Sequence, residues 1–418
     1  MKSGKLLIVT GLGVVLLGLC AAILAVFYFT VNGLAQSGLR VRLFDLNNVK
    51  AEADEEQSFT VSTPAALDVD NSFGDVTVLG GTGSALVVKA HKTAWGATQA
   101  DAQAALKDIT VVVTQDGNKV TVRVQQPAEV DVLHIGPGQG AVDFTIELPA
   151  QADVTAHTDF GAVRVTGTHG AADLRSNAGD VHGADLAGGD LKLQSDFGMV
   201  SLENSTGRDV SAKSNAGAIA LAGVEAEGTV TLDTDFGAVS FEQGRAGALA
   251  VQTNNGKVDL FSLTVTGTAQ AASDFGSVSF RDVAAEGYDL ESNNGSLTVD
   301  GARGALRAHT DFGSIDVRNA EEATLDLQSQ NGSITFSGTL GAGPHSVKSD
   351  FGSIRLALPS TAALDIDLST DFGKIRSDLP LSLTGAPDEK HWQGRFNAGG
   401  ARLTAQTNNG DITIEALK

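Results

Sequence analysis

The chain has 418 residues, 42% hydrophobic but only 5% aromatic, with 49 glycines and 8 prolines. That composition favours short strands and tight turns over helices. Fifty acidic against 29 basic residues leave a net charge of −21, which repels phosphate backbones and argues against nucleic acid and against an electrostatic hold on anionic lipid.

Residues 1–5 read as a short cytoplasmic N-terminus. Leu6 to Val31, LLIVTGLGVVLLGLCAAILAVFYFTV, carries no charge. At about 1.5 Å per residue it exceeds the roughly 30 Å hydrocarbon core, so it predicts a single-pass, tilted transmembrane anchor that makes the membrane a partner. The alternative is a signal peptide cleaved after Ala35, although such peptides have a shorter apolar region of about 7–15 residues. Cys20, the only cysteine, follows Leu19 rather than a small residue, so a lipoprotein signal fits less well. No disulfide or cysteine metal site is available downstream. Lys2 and Lys5 precede the run and Arg40 and Arg42 follow it, a weak bias. The reading is N-terminus inside and the bulk of the chain outside the cytoplasm, at the cell surface or in the periplasm.

Residues 32–57 read as a linker, and 58–150 as a β-rich section, a cap for the repeats downstream. It contains one helix candidate, ATQADAQAALKD at 97–108, then two strands joined at the Asp116-Gly117 turn signal. Ser72-Phe73-Gly74 is a variant of a motif that recurs downstream.

Residues 151–376 repeat. Glycines at 161, 179, 198, 217, 237, 256, 276, 295, 313, 332, 352 and 373 are spaced by 18–21 residues, and Gly410 comes after a longer gap. Three residues before each stands Ser or Thr, five before an apolar residue, and two after Val, Ile or Leu. This alternation predicts two short strands per repeat, each with one buried face. A repeat this small cannot cover that face alone, so the fold class is an all-β parallel β-solenoid (β-helix) of about 13–14 rungs, roughly 65 Å long. Apolar residues seven after the glycine, Leu186, Val224, Leu263 and Val283, suggest a third, shorter side.

The turns come in two kinds. Asp-Phe-Gly stands at Asp159-Phe160-Gly161, Asp196-Phe197-Gly198, Asp235-Phe236-Gly237, Asp274-Phe275-Gly276, Asp311-Phe312-Gly313, Asp350-Phe351-Gly352 and Asp371-Phe372-Gly373. Between them lie Asn177-Ala178, Asn215-Ala216, Asn254-Asn255, Asn293-Asn294 and Gln330-Asn331, and the seventh triplet breaks the alternation. Aspartates in every rung would repel at about 4.8 Å, whereas an interposed amide doubles their separation and offers a donor. Strand parity turns the Phe inward; an outward row would be an exposed apolar stripe. The glycine is expected to turn the corner with positive φ.

Residues 377–418 hold an excursion loop with Trp392, then terminal rungs with an edge open to another chain.

The opening LDVDNSFGDVTVLGG, the repeated S-D/N-x-G-x-V/I turns and the closing GRFNAGGARLTAQTNNGDITIEAL resemble the bacterial "putative adhesin" β-strand-repeat family, a domain of unknown function. The resemblance covers most of the chain after about residue 58. It implies an envelope protein with one anchor and carries no catalytic residues.

No chemistry competes well with a structural role. Kinases also use Asp-Phe-Gly, but here the glycine-rich loop, lysine strand and His-Arg-Asp loop are missing. Polysaccharide-cleaving β-helices need long loops that gather carboxylates into a cleft. Calcium wants six to eight converging oxygens, more than one Asp per two rungs supplies. The eight histidines show no metal spacing, and His157 and His309 read as surface residues on equivalent rungs. The expectation is a non-enzymatic module, an adhesin or structural surface protein, with no catalytic residue, metal or cofactor. Its partner would be a protein or glycan surface, with end-to-end self-association open; an envelope sensor or scaffold is the alternative.

Overall fold

The computed structural model describes residues 49–125, 140–384 and 388–417. The apolar run at 6–31 lies outside them; among the described residues no helix is long and apolar enough to cross a membrane. The described residues divide into two units: 49–55 with 91–111, 124–125 and 140–142, and 56–90 with 112–123, 143–384 and 388–417.

In the smaller unit the helix Gln99–Asp108 begins at a capping box. The Asp101 N–H donates to Thr98 Oγ1 at 3.2 Å, and the Thr98 N–H donates back to Asp101 Oδ2 at 3.1 Å. Two otherwise orphaned donors are thus satisfied, while Ala102 and Ala105 supply the buried face. Lys92 is buried with its ammonium on Glu55 and on the Ile109 carbonyl, 3.3 Å away, which makes its burial tolerable.

In the larger unit successive repeats stack as parallel strands in register. Leu193 lies beside Leu174 and Ala212, and Val200 beside Val181 and Ile219. Each buried column therefore continues from rung to rung as one core. Leu186, Val224, Leu263 and Val283 are buried as well, along a third, shorter strand column that includes Thr206–Gly207 and Glu225–Ala226.

Eleven turns succeed one another in unbroken chain order, from Gly161 to Gly352. Of the 13–14 rungs expected from spacing, these eleven form the uninterrupted run, and the turns at Gly74, Gly410 and Gly373 stack on its ends out of chain order. At one end the Gly74 turn sits on the Gly161 turn, with Lys119–Gln125 and Gly140–Pro149 flanking its two strands on the far side. At the other, Ala401–Thr407 lies between His345–Ser349 and Leu364–Thr370, and Ile412–Ala416 between Ile354–Leu358 and Ile375–Ser377. The last strands of the chain are thus wedged one rung inside its end. The remaining edge of Leu364–Thr370 is covered by His391–Phe396, which pairs antiparallel with it. A strand from the excursion segment thus covers part of the edge expected to be open there, while Ile375–Ser377 in the same rung pairs with Ile412–Ala416 on its other side.

One corner prediction changes in the backbone. Among the column glycines only Gly74 and Gly161 have positive φ, at 118° and 155°. Positive φ recurs instead six residues later, at Gly167, Asp185, Asn204, Gly223, Gln243, Ser262, Asp282, Gly301, Asn319 and Gly338. That is the left-handed corner, and its Gly, Asn and Asp content is what such a corner selects.

Candidate functional site

The column glycine is required by close stacking. A Cβ on Gly198 would lie 2.1 Å from the Gly179 carbonyl oxygen, and one on Gly256 1.8 Å from that of Gly237. The Ser or Thr three residues before it has a matching duty. Ser195 Oγ donates to the Gly179 carbonyl at 2.8 Å, Ser214 Oγ to Gly198 at 3.0 Å, and Thr310 Oγ1 to Gly295 at 2.9 Å. In the Gly198 turn the same Ser195 oxygen accepts the glycine N–H at 2.8 Å. A buried hydroxyl thus closes the backbone hydrogen bonding where the ladder bends.

The Asp column lies beside it at the surface. Asn177 Nδ2 donates to Asp159 Oδ1 at 2.6 Å, Asn215 to Asp196 at 3.1 Å, and Asn254 to Asp235 at 2.8 Å. Asn293 donates to Asp274 at 2.9 Å and Gln330 Nε2 to Asp311 at 2.6 Å. Each carboxylate holds an amide of the next rung, so these aspartates are spread along the axis and none converges with another. Among the described residues no group of three or more His, Cys, Asp or Glu side chains is placed to hold a metal.

The Phe column points outward, against the parity expectation. Phe160 is 54% exposed, Phe197 73%, Phe236 64%, and Phe275, Phe312 and Phe351 63% each, while Phe372 reaches 80%. The glycine, not the Phe, takes the inward position at the corner, as the buried Ser195, exposed Phe197 and buried Gly198 show. Three interior rings come from another column, four after the glycine, at Phe241, Phe280 and Phe336.

The break in alternation disappears in space. Gly410 stacks on Gly352, and Gly373 on Gly410. The Asn408-Asn409 turn therefore separates Asp350-Phe351 from Asp371-Phe372, and Asn408 Nδ2 reaches Asp350 Oδ1 at 3.5 Å. Seven exposed rings thus stand on alternate rungs of one edge. At its start Phe73 and Phe160 occupy adjacent rungs and stack at 4.8 Å with an interplanar angle of 6°.

The family model described as Toastrack DUF4097 matches residues 66–274 and 247–415. The chain belongs to the Toastrack DUF4097 family. A search of curated proteins gives no match. Among solved structures, a "putative cell adhesion protein" from Clostridium sporogenes is 9% identical over 87% of this chain and 100% of that one, with a TM-score of 0.18. A "putative adhesin" from Bacteroides fragilis is 12% identical over 87% and 97%, with a TM-score of 0.26.

Elsewhere on the toastrack several charged side chains pair along the strands. Arg307 bridges Asp289 at 2.6 Å and Glu291 at 2.5 Å, and Arg402 and His391 meet Asp367 at 2.7 and 2.8 Å. Asp367 loses solvation by burial, yet its hydrogen bonds to His391 and Arg402 hold it below the usual carboxylate range. His157 rests on Asp70 at 3.0 Å and His309 on Asp326 at 3.3 Å. Two surface depressions, one around Glu291, His309 and Asp311 and one around Asp233, Gln252 and Asp289, are lined by such side chains of successive rungs. Beside these paired charges, the Phe edge remains as an exposed row of rings.

Proposed function

We propose that the toastrack solenoid is a non-enzymatic adhesive or structural module of the cell envelope, held in the membrane by residues 6–31 with the repeats outside the cytoplasm. The row of seven exposed Phe rings carries this reading. A soluble surface rarely keeps an ordered apolar stripe that nothing covers, and such stripes mark contact surfaces. The dispersal of the Asp column supports a structural turn role over catalysis. The antiparallel cover on Leu364–Thr370 favours lateral contact over end-to-end stacking.

Protease treatment of intact cells tests the placement. Digestion of the repeats with the cytoplasm sealed is expected; full protection with recovery in the soluble cytoplasmic fraction would overturn it. Displaying the chain on non-adherent cells tests the role, with attachment expected to fall when Phe236, Phe275 and Phe312 become Ala. A hydrolytic activity lost on changing one Asp of the column, but not its equivalents, would refute the non-enzymatic reading.

A further inference from the structure

The aromatic edge has a period, and that period restricts what can lie along it. From Phe160 to Phe351 the exposed rings stand on every second rung, about 9.6 Å apart at twice the rung spacing. A polyproline II helix turns once in three residues of about 3.1 Å, a repeat of about 9.3 Å. Over the five intervals between Phe160 and Phe351 the accumulated mismatch is about 1.5 Å. Two turns of an α-helix advance about 10.8 Å and drift out of phase by about 6 Å over the same span. An extended strand returns to one face about every 6.6 Å and matches no successive pair of rings.

Two of the five spaces between these rings, at Ala178 and Ala216, are left open by small side chains, and Asn255, Asn294 and Asn331 stand in the other three. Phe73 and Phe160 fill adjacent rungs face to face at 4.8 Å, so one rung accommodates one ring. Where Ala216 stands between Phe197 and Phe236, that ring position is vacant on the exposed edge. The pyrrolidine rings of a polyproline II helix pack against aromatic side chains in this way, and the helix is stiff beforehand, so little entropy is lost.

Charge then selects the sequence. Each Phe is preceded by an Asp, so carboxylates run beside the rings with the same period. The neighbouring amide takes Oδ1 of Asp196, Asp235 and Asp274. Among the described residues nothing in the chain salt-bridges these three carboxylates. We propose that this edge binds a basic, proline-rich segment in the polyproline II conformation, prolines between the Phe rings and one Arg or Lys per turn on the Asp column. This rests on the solenoid being a binding module and names the class of partner.

Fluorescence anisotropy of labelled peptides on the full chain in detergent tests it. The probes are (Pro-Pro-Arg)5, the equally charged but flexible (Gly-Ser-Arg)5, and (Pro-Pro-Glu)5. The first is expected to bind at least tenfold more tightly than the second and more weakly as salt rises, and the third not to bind. F236A/F275A/F312A, whose side chains lie outside the core, should bind at least tenfold more weakly with an unchanged melting temperature. Ala216→Phe fills one vacant position and should weaken binding although it adds apolar surface. Equal binding of both cationic peptides, unchanged binding by the triple variant, or tighter binding by Ala216→Phe would each overturn the proposal. So would a concentration-dependent dimer that the triple variant abolishes, since a second copy would then own the edge. If no peptide binds while displayed cells still attach through the same Phe residues, the peptide class is wrong and the adhesive module stands.

Discussion

Asn408 reaches the Asp350 carboxylate at 3.5 Å across 58 residues of sequence, because the last strands lie between two rungs that precede them in the chain. Those strands fill an internal position, and their buried residues serve the rungs on both sides. Ile414 is fully buried and lies beside Leu356 and Ser377. Ile414→Ala is expected to cost about 2–5 kcal/mol, read as a lower urea midpoint. It should also expose 401–417 to protease before the central rungs, since stability in a stacked array is largely local.

The Asp column is compatible with stacking because amides separate its members. Asn215 stands between the rungs of Asp196 and Asp235 and donates to Asp196. Asn215→Asp would place three carboxylates in succession at about 4.8 Å and remove that donor. A loss of about 1–2 kcal/mol at low salt is expected, partly recovered at high salt. Thermal melts at two ionic strengths measure it, and a salt-independent loss would mean that the hydrogen bond, not repulsion, dominates.

Glycines in this chain differ in what they require. A Cβ on Gly256 would meet the Gly237 carbonyl oxygen at 1.8 Å, whereas on Gly287 the nearest atom is 3.7 Å away. Gly256→Ala must force two backbones apart and is expected to cost more than about 3 kcal/mol or to prevent folding. Gly287→Ala should be neutral or stabilising by up to about 1 kcal/mol, through a less flexible unfolded chain. Denaturation midpoints of the two variants decide between close stacking and a general intolerance of substitution.

The sequence made the solenoid legible because its constraints recur every rung: the apolar columns, the Ser/Thr column and the glycine column are each a repeated requirement. Direction at the corner was not legible. Strand parity assumes an unbroken pleat, and at Gly198 the chain bends, so the inward place falls to the glycine and Phe197 is turned out. The left-handed corner was present in the sequence as Gly167, Asp185, Asn204 and Gly223, but its mixed residue types hid it behind the invariant glycine. The wedge could not be read from spacing, since Asn408 resembles any other Asn turn. Only the unpaired succession of Asp350 and Asp371 hinted that a rung was missing between them.

The left-handed corner yields a stabilising substitution. Gln243 holds φ 54° at an exposed position where Gly223 and Gly301 occupy equivalent corners. Gln243→Gly removes a strained Cβ and is expected to stabilise by about 0.5–1 kcal/mol after the added flexibility of the unfolded chain is counted. Gln243→Val, branched at Cβ, should destabilise by at least as much. A lower melting temperature for the glycine variant would show that the Gln side chain contributes more than its backbone costs.

His345 links the wedged end to pH. It is buried beside Leu403, with Nδ1 accepting the Leu325 N–H at 3.3 Å and Nε2 on the Gly341 carbonyl at 3.2 Å. Burial pushes its pKa below the ordinary 6.5, against the opposing pull of the Gly341 carbonyl. Above pH 6.5 the ring is neutral in both folded and unfolded chains, and its contribution is complete. As pH falls below 6.5 the unfolded chain takes up the proton first, so stability declines until the folded-state pKa is passed. The slope from this one group approaches about 1.4 kcal/mol per pH unit within that window. His345→Leu should be less stable at neutral pH, because two backbone groups lose their partner, yet its stability should decline less steeply between pH 6.5 and 5. Urea midpoints of both chains across that range measure the difference in slope; parallel curves would assign the acid sensitivity of this end to another group.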